Sequence, residues 1–450
     1  MNKEGIAPAA IKAFERCYQS LVNNESGMIP EESIIPAQDV EDWNTIIANT
    51  PEASKEVLAQ CVCIKLNGGL GTSMGLQKAK SLLPLKGDDT FLDLIIKQVK
   101  ALRKISGTQV RLLLMNSFST SEDTLQYLEK YATDGFNLAS EVELMQNKVP
   151  KIDAETFEPA VYPEQPDMEW CPPGHGDLYP ALIGSGWLDQ LLKDGVKYAF
   201  ISNSDNLGAQ MDLRFLQWFA QSNAPFVMEV TRRTESDKKG GHLAVRKSDD
   251  QLILREVAQC PDEDINEFQN IEKHQYFNTN TLWIRLDILK QILDDNDGVL
   301  PLPMIRNSKT VNPRDAESTP VYQLETAMGA GIECFNGAKA VNVPRSRFFP
   351  VKTSSDLLLL RSDAVEINED GLMQLAGECQ GVAPVIDLDS KIYKLVDSLD
   401  SLGIPSLKNT KKLTIKGPFH FNDQVIIEGT VNFNNDSCET KEITSGTYKS

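Results

Sequence analysis

Apolar positions recur along this chain in two rhythms. Over residues 11–22, Ile11, Phe14, Tyr18 and Leu21 fall at helical spacing, which predicts an amphipathic helix. Pro30 and Pro36 punctuate the connection that follows, and Trp43, Ile46 and Ile47 come next, so residues 1–55 read as a helical N-terminal segment packed on the rest. From about residue 56 the pattern changes to short apolar runs at 61–66, 110–115, 198–201 and 225–230, with helical stretches at 90–104 and 122–131 between them. Short buried strands alternating with helices predict an α/β domain with a parallel, doubly wound sheet over residues 56–365. In such a sheet ligands bind beyond the carboxyl ends of the strands. Three of the four runs end there in small or polar residues. Residues 366–450 carry a third pattern: Leu413, Ile415, Phe419, Phe421 and Val425 largely alternate with polar residues, and Gly417 and Gly429 interrupt them. That predicts short strands wound as a small β-helix, with a polar, mobile tail at 434–450.

Composition narrows the functional classes. The chain has 450 residues, 41% hydrophobic and 24% charged, enough to build a large core. Its net charge of −19 gives a nucleic acid nothing to be drawn to, so a phosphate site must be assembled from particular Lys, Arg and backbone N–H groups. The eight cysteines are scattered, which reads as reduced structural thiols. No stretch approaches a bilayer span and residues 1–10 do not pattern as a signal peptide, so the expectation is a cytoplasmic protein without membrane partners.

The first strand runs directly into Asn67-Gly68-Gly69-Leu70-Gly71-Thr72-Ser73-Met74-Gly75. Four glycines here permit positive-φ turns and close approach of backbone to a ligand, and successive N–H groups at a strand end can form an anion nest. The run is neither a P-loop nor a dinucleotide fingerprint, since Met74 stands where the third fingerprint glycine belongs. Lys78 and Lys80 follow, and a lysine after such a loop can neutralise charge developing on phosphate.

Residues 65–75 resemble the nucleotide loop of the eukaryotic-type UTP–glucose-1-phosphate uridylyltransferase family. Further blocks match in order: Leu114-Met115-Asn116-Ser117-Phe118, Pro172-Pro173-Gly174-His175-Gly176-Asp177, Ser202-Asn203-Ser204-Asp205-Asn206-Leu207-Gly208-Ala209, Phe277-Asn278-Thr279-Asn280 and Asn342-Val343-Pro344-Arg345-Ser346-Arg347-Phe348, with Lys352 beyond. The resemblance spans residues 61–360, and the C-terminal alternation fits the family's β-helix domain. Ser73 replaces an arginine common in related pyrophosphorylases, a replacement typical of the glucose-specific branch. Ala79 stands where many members have proline before the loop lysine.

The resemblance implies a Rossmann-like mixed-sheet core and nucleotidyl transfer: a phosphate oxygen of glucose-1-phosphate attacks the α-phosphorus of UTP, and pyrophosphate leaves. Catalysis would be positioning and electrostatics. Lys80 and Lys352 are implied as the catalytic cations on the phosphates. Leu66, Asn67, Gly68, Gly69, Gln146 and Gly174 are implied UTP contacts, together with Asn203. Gln146 suits uracil, because an amide offers both a donor and an acceptor. Gly68, Gly69, His175, Asn203, Gly241, Glu256 and Asn280 are implied contacts to glucose-1-phosphate. Asp205 is the implied ligand of Mg²⁺, a hard cation that takes one or two carboxylates plus substrate phosphates. Alternatives are a uridylyltransferase of broader or different sugar-1-phosphate specificity, a nucleotide-sugar-consuming glycosyltransferase, and a non-catalytic binder. The glycosyltransferase reading lacks its Asp-x-Asp pair, since Asn203-Ser204-Asp205 stands there. Monomer and homo-oligomer both remain open.

Overall fold

In a computed structural model, which describes residues 1–449 and leaves the side chain of Ser73 undescribed, the apolar runs become strands of one large mixed sheet. The sugar-branch signal at Ser73 therefore lies outside the described side chains. The main path of the sheet runs Glu41–Asp42, Lys339–Asn342, Phe226–Arg232, Tyr276–Arg285, Tyr198–Asn203, Cys61–Leu66, Arg111–Asn116, Glu143–Met145. Cys61–Leu66, Arg111–Asn116 and Glu143–Met145 are mutually parallel neighbours, as are Phe226–Arg232 and Lys339–Asn342.

The parallel sheet expected from periodicity fails at Tyr276–Arg285, and the sheet is mixed, as the resemblance implies. This strand runs antiparallel to both of its neighbours, Tyr198–Asn203 and Phe226–Arg232. Burial periodicity reports which faces are covered and says nothing about strand direction. The strands are buried almost throughout because both faces are packed: Cys61 to Lys65 are all buried.

On one face, helix Leu213–Ser222 is capped by the Asp212 carboxylate, which accepts from the N–H groups of Arg214 and Phe215. It buries Phe215 and Phe219, one turn apart, against Trp283 at ring-centroid distances of 5.1 and 6.0 Å. Trp43, from the N-terminal segment, stacks on Phe215 at 4.4 Å. Helix Pro8–Val22 matches the first prediction, but the N-terminal segment also supplies strands. Ile34–Pro36 pairs antiparallel with His242–Arg246, and Glu41–Asp42 joins the sheet edge.

The chain divides into two units. The first comprises residues 1–68, 106–202 and 211–344 and holds the large sheet. The second comprises 69–105, 203–210 and 345–450. Its C-terminal part is a parallel stack, Val385–Leu388, Ser406–Lys416, Val425–Asn434 and Gly446–Lys449, with Leu413, Ile415 and Ile427 buried. The tail expected to be mobile instead forms strands Lys441–Ile443 and Gly446–Lys449, because parallel pairing satisfies its backbone. No helix among the described residues is long and apolar enough to cross a membrane.

Candidate active site

The glycine-rich loop begins where Cys61–Leu66 leaves the sheet. Asn67 is buried, and its amide donates to Asn116 Oδ1 at 2.7 Å and Thr124 Oγ1 at 3.0 Å. Its side chain thus anchors the loop to the end of the neighbouring strand. Ser117 Oγ donates to the Gly68 carbonyl at 2.8 Å. A Cβ at position 68 would lie 2.7 Å from Gln146 Oε1, so this position must be glycine for the Gln146 amide to lie against the loop. Of Gly68, Gly69, Gly71 and Gly75, only Gly75 has positive φ; Gly68 and Gly71 serve close approach, and a Cβ at Gly69 would meet nothing within 4 Å.

Gln146 is fixed at both ends. Its backbone N–H donates to the Asn116 carbonyl at 2.7 Å, and Nε2 donates to the Gly174 carbonyl at 2.9 Å. With Nε2 engaged there, the amide turns its acceptor oxygen toward Gly68. Beside it, Asp177 is buried and accepts from the Asn147 backbone N–H at 2.6 Å and from Asn147 Nδ2 at 3.1 Å. Burial pushes the Asp177 carboxyl up to about 7, against the pull of these bonds. Asn147, Asp177 and Ser117 were not singled out from sequence. The only signal was their place inside or beside the quoted motifs.

His175 follows Gly174. Its Nδ1 accepts the Met328 backbone N–H at 2.9 Å, while Tyr179 Oη donates to the Met328 carbonyl at 2.6 Å. A backbone amide always donates, so Nδ1 carries no proton and Nε2 carries it. Desolvation lowers the His175 pKa to about 4, keeping the ring neutral at physiological pH. His175 is therefore a neutral Nε2–H donor.

A third group forms where hairpin His242–Arg246/Leu252–Arg255 meets Tyr276–Arg285. Gly241 is buried, and a Cβ on it would lie 2.6 Å from the Glu256 carboxylate. The Gly241 carbonyl accepts the Asn278 N–H at 3.1 Å. Opposite Phe226–Arg232 the register slips, with Glu229 facing Thr281 and Val230 facing Asn278, so Thr279 and Asn280 form a bulge. Asn280 sits at φ 61, an uncommon left-handed conformation for a non-glycine residue, held by its N–H donating to Asn278 Oδ1 at 2.9 Å.

Lys80, Asp205 and Lys352 lie in the second unit. Lys80 N–H donates to the Gly69 carbonyl at 3.1 Å, and Lys80 Nζ pairs with Asp205 Oδ2 at 2.7 Å. Both side chains are mostly covered, whereas Lys78 is exposed, which separates the two loop lysines. Asp205 and Asn206 also hold the segment before Lys352. The Asp205 carbonyl accepts the Val351 N–H at 3.2 Å, and Asn206 Oδ1 accepts the Phe349 N–H at 2.8 Å. Lys352 is exposed and stands at the start of helix Ser354–Arg361, its N–H donating to Asp356 Oδ2 at 2.9 Å. Lys80, Asp205 and Lys352 are thus tied to one turn, and the Asn203 carbonyl accepts the Asn206 N–H at 3.3 Å in the same turn.

No group of three or more His, Cys, Asp or Glu side chains placed to hold a metal ion occurs among the described residues. The one carboxylate of this turn, Asp205, already faces a cation in Lys80. That donor set fits Mg²⁺ brought in on nucleotide phosphates, where one protein carboxylate suffices.

Comparison with known proteins gives these residues a family. The profile of the UTP–glucose-1-phosphate uridylyltransferases matches residues 11–428. The uridylyltransferase of that name from Solanum tuberosum is 40% identical over 388 residues, 86% of this chain and 79% of its own. That of Saccharomyces cerevisiae is 41% identical over 389 residues, 86% of this chain and 76% of its own. Among solved structures, a mutant UDP-glucose pyrophosphorylase from Leishmania major in complex with UDP-glucose superposes with a TM-score of 0.92. It is 44% identical, covering 100% of this chain and 98% of that one. The Trypanosoma brucei protein, titled a UDP-glucose phosphorylase, gives a TM-score of 0.90 at 48% identity, covering 99% and 96%. The chain belongs to the UTP–glucose-1-phosphate uridylyltransferase family.

Proposed function

We propose that this chain carries out its family's reaction with the groups described above. It joins UTP and glucose-1-phosphate into UDP-glucose and releases pyrophosphate. One P–O bond forms between the sugar phosphate and the α-phosphorus, and the bond to the β-phosphate breaks. The attacking oxygen is already anionic, so no general base is required.

The observation that carries the reading is the Lys80–Asp205 turn with Lys352 tied to it. Phosphoryl chemistry depends on neutralising charge at fixed positions. Lys80 binds the triphosphate, and Lys352 meets charge that builds as the α-phosphorus is attacked. Asp205 would hold Mg²⁺, which would supply further positive charge to the nucleotide phosphates. Asn203, Leu66 and Gly69 lie on the loop and strand ends that border the nucleotide, and Asn67 shapes that loop from behind.

Base choice rests on Gln146. One amide proton is spent on Gly174, which leaves Oε1 as an acceptor and the second N–H as a donor, a pair that suits the N3–H and a carbonyl of uracil. His175 donates Nε2–H to the sugar phosphate. Glu256, Asn280 and the Gly241 backbone read sugar hydroxyls. The same reading takes residues 1–55 as the N-terminal segment, 56–365 as the catalytic domain and 366–450 as a small β-helix domain. It also includes a cytosolic location, which eight thiols free of disulfides suit.

The test is pyrophosphate release from UTP with glucose-1-phosphate, galactose-1-phosphate or N-acetylglucosamine-1-phosphate. Lys352→Ala should lower kcat by about 100-fold or more with a much smaller change in either KM, because its interaction is realised in the transition state. A rise in KM with kcat unchanged would remove Lys352 from that role. Comparable rates with several sugars would replace glucose specificity by the broader reading.

A further inference from the structure

Behind the sugar-reading group lies a buried ionic cluster that the reaction does not use. Arg255, the residue before Glu256, is fully buried. Its guanidinium pairs with Glu31 at 2.6 Å and with Asp264 at 3.4 Å. Glu31 also takes Lys273 Nζ at 2.8 Å and His274 Nε2 at 2.9 Å, and its own N–H donates to Asp264 Oδ2 at 2.7 Å. Burial alone would raise the Glu31 carboxyl, but bonds from Lys273, His274 and Arg255 outweigh it and hold it at about 2. His242, the residue after Gly241, stacks on His274 at 4.0 Å and pairs across the hairpin with Arg255.

The cluster thus grips the two residues next to Gly241 and Glu256. A second connection runs through the backbone. The Ile29 N–H donates to the Gln259 carbonyl at 2.7 Å. Gln259 in turn donates its N–H to the Glu256 carboxylate and accepts the Glu256 N–H on Oε1 at 2.9 Å. Strand Ile34–Pro36 then continues along His242–Arg246. Residues 29–36 therefore form a strap, bonded at Ile29, Glu31 and Ile34–Pro36, across the outside of the hairpin and turn that present Glu256.

We propose that Glu31 is a positioning residue for the sugar-1-phosphate: through Arg255, next to Glu256, it fixes the Glu256 carboxylate against Gly241 and so sets which hexose hydroxyls are accepted, while the Ile29–Gln259 bond of the same strap holds the following turn. This rests on the assignment of Gly241 and Glu256 to the sugar. A buried charge pair costs desolvation and is no efficient source of stability, so its use here is to fix one geometry where a small displacement changes recognition. Gln146 and its partners are not part of the cluster, so uracil binding should not follow it.

The experiment compares the full-length protein with Glu31→Gln, the conservative Glu31→Asp and the exposed control Glu32→Gln, measuring KM for each substrate and the galactose-to-glucose ratio of kcat/KM. Glu31→Gln should raise KM for glucose-1-phosphate on the order of tenfold, the effect of one lost hydrogen bond. KM for UTP should stay within about twofold by the same reasoning, and the sugar ratio should rise toward galactose. Glu31→Asp should recover part of the loss, and Glu32→Gln should match the wild type. If Glu31→Gln does not fold, Asp264→Asn, which keeps an acceptor oxygen, should give the same selective change. Equal rises in both KM values, or lower thermal stability with both KM values and the sugar ratio unchanged, would overturn the positioning role. A folded wild type that binds UTP and releases no pyrophosphate with any sugar phosphate would overturn the underlying function as well.

Discussion

Two titratable side chains in the Gly174–Asp177 stretch have their pKa values shifted toward the neutral form by burial, and each makes a prediction. His175 has its pKa lowered to about 4 by desolvation. It should contribute no inflection near 6.5 to the pH profile of kcat/KM for glucose-1-phosphate. Replacing it by Gln keeps an N–H donor, whereas Leu removes it, so His175→Leu should raise that KM by about tenfold and His175→Gln by less. A KM unchanged in His175→Leu would separate the imidazole from the sugar phosphate. Asp177 is raised from 3.8 to about 7 by burial. A raised carboxyl contributes stability that is complete below about 4 and is lost as pH rises through about 7. Asp177→Asn cannot ionise, so its melting temperature should gain on the wild type between pH 5 and pH 8. A difference that does not change with pH would contradict the burial account. Lys80, Lys352, Asp205, Gln146 and His175 were all named from motif residues in the sequence. Lys80 was preferred to Lys78 by the resemblance, and the structure brings Lys80 against Asp205 while Lys78 stays exposed.

Among elements, the bulge at Thr279–Asn280 shows how a sheet can present a side chain. A regular strand would alternate Asn278, Thr279 and Asn280 across its faces, while the two-residue slip re-aims them. Asn280 accepts left-handed backbone to do so. Asn280→Gly removes the side chain and relieves that strain. KM for glucose-1-phosphate should rise about tenfold without loss of thermal stability. A drop in melting temperature with kinetics unchanged would make the bulge a structural feature only. The apolar spacing marked four strands of the sheet and three helices, each within a few residues at its ends. It did not mark the direction of Tyr276–Arg285, nor the short strands Ile34–Pro36 and Glu41–Asp42. Those depend on partners more than 200 residues away in sequence. The strap at residues 29–36 escaped for the same reason: Glu31 is an ordinary acidic residue until Arg255, Lys273 and His274 are brought around it.

For the whole molecule, the −19 net charge and the phosphate chemistry are reconciled by local arrangement. The acidic excess repels a polyanion in general, while Lys80 and Lys352 are concentrated on one turn of the second unit. On the proposed reading, Gln146, a neutral His175, Asn280 and Glu256 recognise base and sugar, since recognition needs hydrogen bonds of fixed polarity, and the lysines serve transfer, which needs positive charge. The most direct measurement is ³¹P NMR of the purified protein with UTP, glucose-1-phosphate and Mg²⁺. The account predicts UDP-glucose and pyrophosphate resonances growing in equal amounts as both substrates decline. Uridine monophosphate without UDP-glucose, or unchanged substrate spectra over protein that is folded and binds UTP, would contradict it.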